Sequence, residues 1–259
     1  MEIIRLGTAA QSAQAFSCVA EAPSAFWAEG TPLARGWVAA NLGRGMEGLQ
    51  LAGDDGVPLA HVYWAMSGQA IVPYRAEPGV ACLYCEWVQT AHQGRGYMRR
   101  LFDALVAALQ AEGVYGILAI GTDEDEYMHT RHFVRRGFRP VLDLHAGHVL
   151  YLPLSRAQVE VEPLQPRLPV PAAGDPVQVL IIGMHACPVG ASAVLAVRRV
   201  AAEFGPRVEL VEVPAGPQSM AEYGVADGIF IDGRPIFFGP MADEQVRQHV
   251  STAVRDHAS

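Results

Sequence analysis

Apolar and polar positions along the chain change period several times, and each change marks a predicted element. A short strand is expected at Glu2–Leu6, then helical stretches near 9–21 and 32–43. Gly53-Asp54-Asp55-Gly56 lies between two alternating runs and predicts a hairpin turn joining strands near 47–52 and 57–66. A polar loop with prolines follows over 67–78, and then a strand over Val80–Gln89. From Met98 to Glu112 the period is helical, with Leu101, Leu105, Ala108 and Leu109 on one face and Gly113 as the stop. Tyr115–Ile120 predicts a buried strand, 124–136 a short helix ending at Gly137, and 138–144 and 148–153 two final strands.

The pattern then lapses. Ser155–Pro176 carries prolines at 163, 166, 169, 171 and 176 and has no strong periodicity, which predicts a linker. Beyond it the order is β-α-β-α-β-β-α. Val177–Ile182 is a continuous apolar run suited to a central strand. Helices are expected at 191–204, 217–223 and 243–255, and strands at 208–213, 228–232 and 235–238, the last two flanking a Gly233-Arg234 turn. The expected organisation is a first domain over 1–154, a linker over 155–176 and a second domain over 177–259. The fold class is α/β, with a mixed α+β sheet in the first domain.

Composition narrows the function. The 259 residues are 51% hydrophobic and only 18% charged, enough apolar material for packed cores and too little charge for extensive disorder. A net charge of −8 argues against a nucleic-acid or anionic-membrane partner and suits a cationic or amine substrate. The start, Met1-Glu2-Ile3-Ile4-Arg5, reads as a strand and lacks the basic-then-apolar signature of a signal peptide. No apolar stretch reaches the span of about 18 residues that a membrane helix needs. With four irregularly spaced cysteines at 18, 82, 85 and 187, the expectation is a cytoplasmic protein with reduced thiols.

The most informative segment is Glu86-Trp-Val-Gln-Thr-Ala-His-Gln-Gly-Arg-Gly-Tyr-Met-Arg-Arg-Leu101. A strand runs into Gln93-Gly94-Arg95-Gly96, and an amphipathic helix begins at once. Glycines let the backbone approach a ligand closely, and a helix N-terminus presents free N–H groups and the positive end of its dipole, so the junction is an anion cradle. Val88, Gln93, Gly94, Arg95 and Gly96 match the fingerprint Val-x-x-x-x-(Arg/Gln)-Gly-x-Gly-x-(Gly/Ala), and the segment resembles that of the GCN5-related N-acetyltransferase (GNAT) family. Met98 departs from the small residue usual there. Arg135-Arg136-Gly137-Phe138 looks like the family's helix-to-strand ending, and the order of elements fits over roughly 1–154. The resemblance implies acetyl-CoA as co-substrate, held by backbone groups from Gln93 through Tyr97 to Met98, with an oxyanion donor near Val88. It also implies direct attack by an amine, here expected to be that of a small molecule.

Acid–base roles are less regular. Glu86 lies two residues before Val88 on the same strand face, among apolar neighbours that would raise its basicity, and is the candidate general base. The alternative is a buried glutamate paired with an arginine or bound to backbone. Many family members protonate the leaving thiolate with a tyrosine four residues before the Gly of Gly-Phe, but that position is Phe133. His132, Tyr127 and His129 are the nearby candidates, and water can also serve. Cys82 and Cys85 have C-x-x-C spacing, but on a regular strand they face opposite sides, so ordinary buried cysteines and no metal are expected. The aromatic residues Trp27, Trp37, Tyr63, Trp64 and Tyr74 are candidates for an acceptor pocket or, more simply, for the core.

In the second domain Met184-His-Ala-Cys187-Pro188-Val-Gly-Ala follows the central strand and opens a helix, where Cys187 would be expected to have a lowered pKa. The segment is similar to a single-cysteine version of the thioredoxin-like active loop. The second cysteine is replaced by Gly190, and the proline usual before the third strand is replaced by Ala226-Asp227-Gly228. An acetyltransferase with such a tail resembles the YoaP-type acetyltransferases, whose segment also tends to carry Cys-Glu-Trp-Val, here at 85–88. Two competing functions follow: a catalytically weak CoA-binding sensor, and a thiol-dependent reductase or metal-handling role at Cys187. Oligomeric state is not encoded, and a homodimer is compatible with the sequence.

Overall fold

The computed structural model describes residues 1–259 except 9–10, 12–17, 19–24, 124–127, 146, 173, 238–240 and 258–259. It divides into two compact units, one of Met1–Ala22, Val38–Ala70 and Tyr74–Pro163, the other of Pro23–Trp37, Ile71–Pro73 and Leu164–Ser259. The helix predicted near 9–21 falls mostly outside the described residues.

The elements of the first part are β1 (Glu2–Leu6), α1 (Ala25–Asn41), β2 (Glu47–Ala52), β3 (Pro58–Met66), β4 (Tyr74–Ala76), β5 (Val80–Val88), a short 3-10 turn (Thr90–His92) and α2 (Tyr97–Ala111). They continue with β6 (Gly116–Gly121), α3 (Thr130–Val134), β7 (Arg139–Leu144), β8 (Gly147–Pro153) and β9 (Val161–Pro163). Seven strands form one sheet in the order β1-β2-β3-β5-β6-β8-β7. Only the β5–β6 pair is parallel; the other neighbours are antiparallel. The spacing of Leu101, Leu105 and Leu109 seats α2 on this sheet, where with Phe102 they join Leu49, Val62, Leu83, Ile117 and Phe133 in one core. Each such side chain contributes about 1.5–3 kcal/mol by leaving water.

The structure departs from the sequence pattern in several places. The helix expected at 32–43 begins at Ala25 and runs through Pro32. Its early residues are held by tertiary packing within the second unit, which outweighs the interior-proline cost of about 3 kcal/mol. Gly30 N–H donates to Ser192 Oγ at 3.0 Å, and a Cβ on Gly30 would stand 2.1 Å from the Pro188 carbonyl oxygen, so only hydrogen fits. The predicted loop 67–78 and linker 155–176 are also partly ordered, because Tyr74–Ala76 pairs with Val161–Pro163. Of the helix expected over 124–136, only Thr130–Val134 is helical, and 124–127 lie outside the described residues.

The second unit continues with β10 (Val177–Gly183), α4 (Pro188–Phe204), β11 (Val208–Pro214), α5 (Pro217–Tyr223), β12 (Gly228–Ile231), β13 (Arg234–Phe237) and α6 (Asp243–His257). Its sheet order is β11-β10-β12-β13, with β10 and β11 parallel and the others antiparallel. One face packs Val179 and Ile181 against Val197 and Val200 of α4 and Val246 and Val250 of α6. The other buries Leu180, Ile182 and Phe230. The hairpin turn is Asp232-Gly233, one residue earlier than expected: both central residues need positive φ, and these have +49° and +72°.

Candidate active site at the divergence of two strands

The site begins with one extra residue in β5. Against β3, Tyr63 pairs with Cys85 and Trp64 with Leu83, so Tyr84 has no opposite number and forms a bulge. Against β6, β5 pairs only over Val80–Cys82, while β6 continues to Gly121 beside β8. The two parallel strands therefore part at the bulge, and the last residues of β5 border an open split. Gln89 N–H bonds back to the Leu59 carbonyl at 2.9 Å. Strand alternation then turns the Val88 and Glu86 N–H groups away from β3, toward the split. The Val88 carbonyl is occupied by Gln93 Nε2 at 3.3 Å.

Beyond β5 the chain turns through Gly94 and Gly96, with φ of +74° and +77°, and Gly96 caps α2. Positive φ is cheap only for glycine. The N–H groups of Gly94, Arg95 and Gly96 have no protein acceptor among the described residues, and those of Tyr97 and Met98 are the orphan donors of a helix start. The turn is exposed over Gln93–Gly96. This is an open cluster of backbone donors beside the split.

Glu86 is where the base was sought, but its carboxylate is not alone. Arg136 Nη1 lies 2.5 Å from Glu86 Oε2, and the Glu86 side chain is only 8% exposed. The guanidinium also lies over the Phe102 and Phe133 rings, at 5.1 and 5.7 Å from their centroids. The arginine-paired alternative is thus the observed state. Glu86 Oε1 has no hydrogen-bond partner among the described residues.

Residues 19–138 match the family model described as the acetyltransferase (GNAT) family. This segment is a GNAT acetyltransferase domain. No curated protein matches the chain. Among solved structures, a GNAT-family protein from Desulfovibrio desulfuricans is 19% identical, with a TM-score of 0.46, covering 60% of this chain and 99% of its own. The ribosomal-protein-S18-alanine N-acetyltransferase of Escherichia coli is 18% identical at TM-score 0.42, covering 61% and 96%. The Escherichia coli GNAT protein YhbS, in complex with CoA, is 13% identical at 0.43, covering 60% and 83%.

Within the GNAT domain the other candidates fall apart. Phe133 is fully buried, edge-on to Phe138 at 5.3 Å. Tyr127 lies outside the described residues. His129 is the N-cap of α3, its Nδ1 accepting the Arg131 N–H at 3.0 Å. His132 is exposed on α3, and desolvation, then the Arg136 charge, lower its pKa. It is therefore neutral near pH 7 and poorly suited to protonating a thiolate.

The bulge also corrects the cysteine geometry. By skipping Tyr84 it restores parity, so Cys82 and Cys85 share a face with Tyr63, His61 and Trp87, opposite to the face of Glu86 and Val88. Cys85 Sγ lies 3.5 Å from His61 Nε2. Burial lowers His61 to about 3 and pushes Cys82 up to about 12. No metal-binding cluster occurs among the described residues. Of the aromatic candidates, Tyr63, Trp64 and Tyr74 are buried.

Sequence reasoning missed Arg136 and the bulge. Arg136 had one signal, its place three residues after Phe133 at the end of α3. The bulge had none, since Tyr84 is an ordinary strand residue.

In the second unit Cys187 is the N-cap of α4. Although it is exposed, desolvation raises its thiol, outweighing the backbone N–H groups of Gly190 and Val189 that lower it. The expected lowering is thus overturned. A raised thiol stays protonated through neutrality and ionises only as pH climbs. Alkylation of Cys187 by iodoacetamide at pH 7 is therefore expected to be slower than that of a free thiol. Rate against pH, followed by mass spectrometry, checks this, and fast labelling at pH 7 would contradict it.

Proposed function

We propose that the GNAT domain transfers an acetyl group from acetyl-CoA to the amine of a small molecule by direct attack. The observation that carries this is the split beside β5, with the Val88 N–H turned into it and the glycine turn of Gln93–Met98 at its end. The turn's backbone donors and the α2 N-terminus suit a pyrophosphate. The Val88 N–H suits the oxyanion formed when the amine attacks the thioester carbonyl. The C–S bond then breaks, and the thiolate takes its proton from water, since Phe133 has none to give. The amine's proton goes to Glu86 through Oε1, directly or by one water. The net charge of −8 favours a cationic acceptor. Four cysteines with no disulfide between them suit a cytoplasmic setting, and no helix among the described residues is long and apolar enough to cross a membrane.

Steady-state acetylation across a panel of amines tests the proposal. At least one amine should turn over, and Glu86→Gln should lower kcat about 10²-fold while leaving the KM for acetyl-CoA nearly unchanged. CoA binding without turnover of any amine, and no loss in Glu86→Gln, would instead favour a sensor.

For the second unit we propose a thioredoxin-like fold, supported by its β11-β10-β12-β13 order with one parallel pair. The upward shift of the Cys187 thiol weighs against a reductase role.

A further inference from the structure

Glu86 sits at the split on a strand, yet nothing on β5 fixes its side chain. Among the described residues its polar contact comes from Arg136, in the turn just after α3. Arg136 is itself held, with its guanidinium over Phe102 of α2 and over Phe133 of α3. Its side chain is 23% exposed, so the contact is largely shielded from water. The fork occupies Oε2 and leaves Oε1 unbonded. The same cation lies close enough to His132 to lower it. His132 in turn feels the charges of Arg136, Glu86, His129 and Arg135. Of these, Arg136 makes the ion pair with Glu86.

We propose that Arg136 is a positioning residue for N-acetyl transfer: it grips Glu86 through Oε2 and aims Oε1 at the amine. This rests on the base role given to Glu86 above. It assigns to α3 a task different from donating a proton to the leaving thiolate. Phe133, where that donor is absent, instead forms part of the surface against which the guanidinium is held. Lysine could keep the charge but lacks the planar fork that stacks on two rings.

Kinetics of the full chain with acetyl-CoA and an accepted amine test this. Arg136→Lys should lower kcat about tenfold and Arg136→Gln about a hundredfold, the scale of a 1 Å misplacement, with the KM for acetyl-CoA within about twofold. In a Glu86→Gln background neither change should lower the residual kcat further. Glu86→Gln/Arg136→Gln, which leaves no unpaired charge, serves as the fold control through its unfolding midpoint. Normal kcat in Arg136→Gln, or an equal fall in both backgrounds, overturns the Arg136 assignment alone. Full turnover by Glu86→Gln instead overturns the base role on which it rests.

Discussion

Replacing Arg136 by leucine is expected to lower the unfolding free energy by about 3 kcal/mol, the lower end of the range for stripping a buried charge of its partner. The alternative estimate, for a surface ion pair, is about 0–1 kcal/mol. Exposure decides between them. Glu86 is 8% exposed and Arg136 23%, so the carboxylate cannot recover its lost partner from water, while the arginine could. The two ring contacts of the guanidinium add to the loss. Replacing both residues together, as Glu86→Met/Arg136→Leu, should recover most of the stability, because no charge is then left buried. Urea denaturation of the single and double variants, followed by circular dichroism, gives the comparison. A single variant within about 0.5 kcal/mol of the parent would mean that the pair behaves as an exposed one.

Gly96→Val should cost acetyl-CoA binding about 10²–10³-fold. At φ +77° an L-residue pays about 1–2 kcal/mol, and a β-branched one more. The turn would relax away from this conformation and carry the donors of Gly94, Arg95 and Gly96 with it. Each charge-assisted bond to a phosphate is worth about 1.5–3 kcal/mol, so losing even one in addition to the strain reaches this range. Titration calorimetry with CoA measures it directly. Folding should suffer much less than binding, because a Cβ at Gly96 meets only the end of the Arg99 side chain, at 3.7 Å. Unaltered CoA affinity would show that the turn does not hold the pyrophosphate.

Much of the fold was legible because local pattern and tertiary structure agree. The Gly53–Gly56 hairpin, the Leu101-Leu105-Leu109 stripe and the apolar run of β10 lie where periodicity puts them. The α1 helix was misjudged because its first turns are held by a contact 162 residues away in sequence, between Gly30 and Ser192. No local propensity encodes that. The glycine turn was legible as a turn into a helix, because paired glycines between a strand and an amphipathic run mark positions of positive φ. Glu86 was only half legible: its face followed from strand alternation, but its partner came from the turn after α3, 50 residues on. Cys187 failed in the opposite way. Its place at a helix start was right, but the helix-end donors are outweighed by desolvation, which sequence does not report.

The bulge at Tyr84 divides β5 into two phases. Before it, odd-numbered positions such as Ala81 and Leu83 face α2; after it, the even-numbered Glu86 and Val88 do. A single strand thus carries two opposite inside-outside codes, joined at the residue where the sheet comes apart. Tolerance to substitution should follow the same phase change: a charge accepted at 86 would be out of place at 83, although simple alternation assigns those positions to opposite faces. Removing one residue at 84 would therefore do more than shorten the strand. It would leave Cys85 and Glu86 on their present faces, since Leu83 and Cys85 already pair with the successive residues Trp64 and Tyr63, but it would erase the bulge at which β5 leaves β6, so that the split would close.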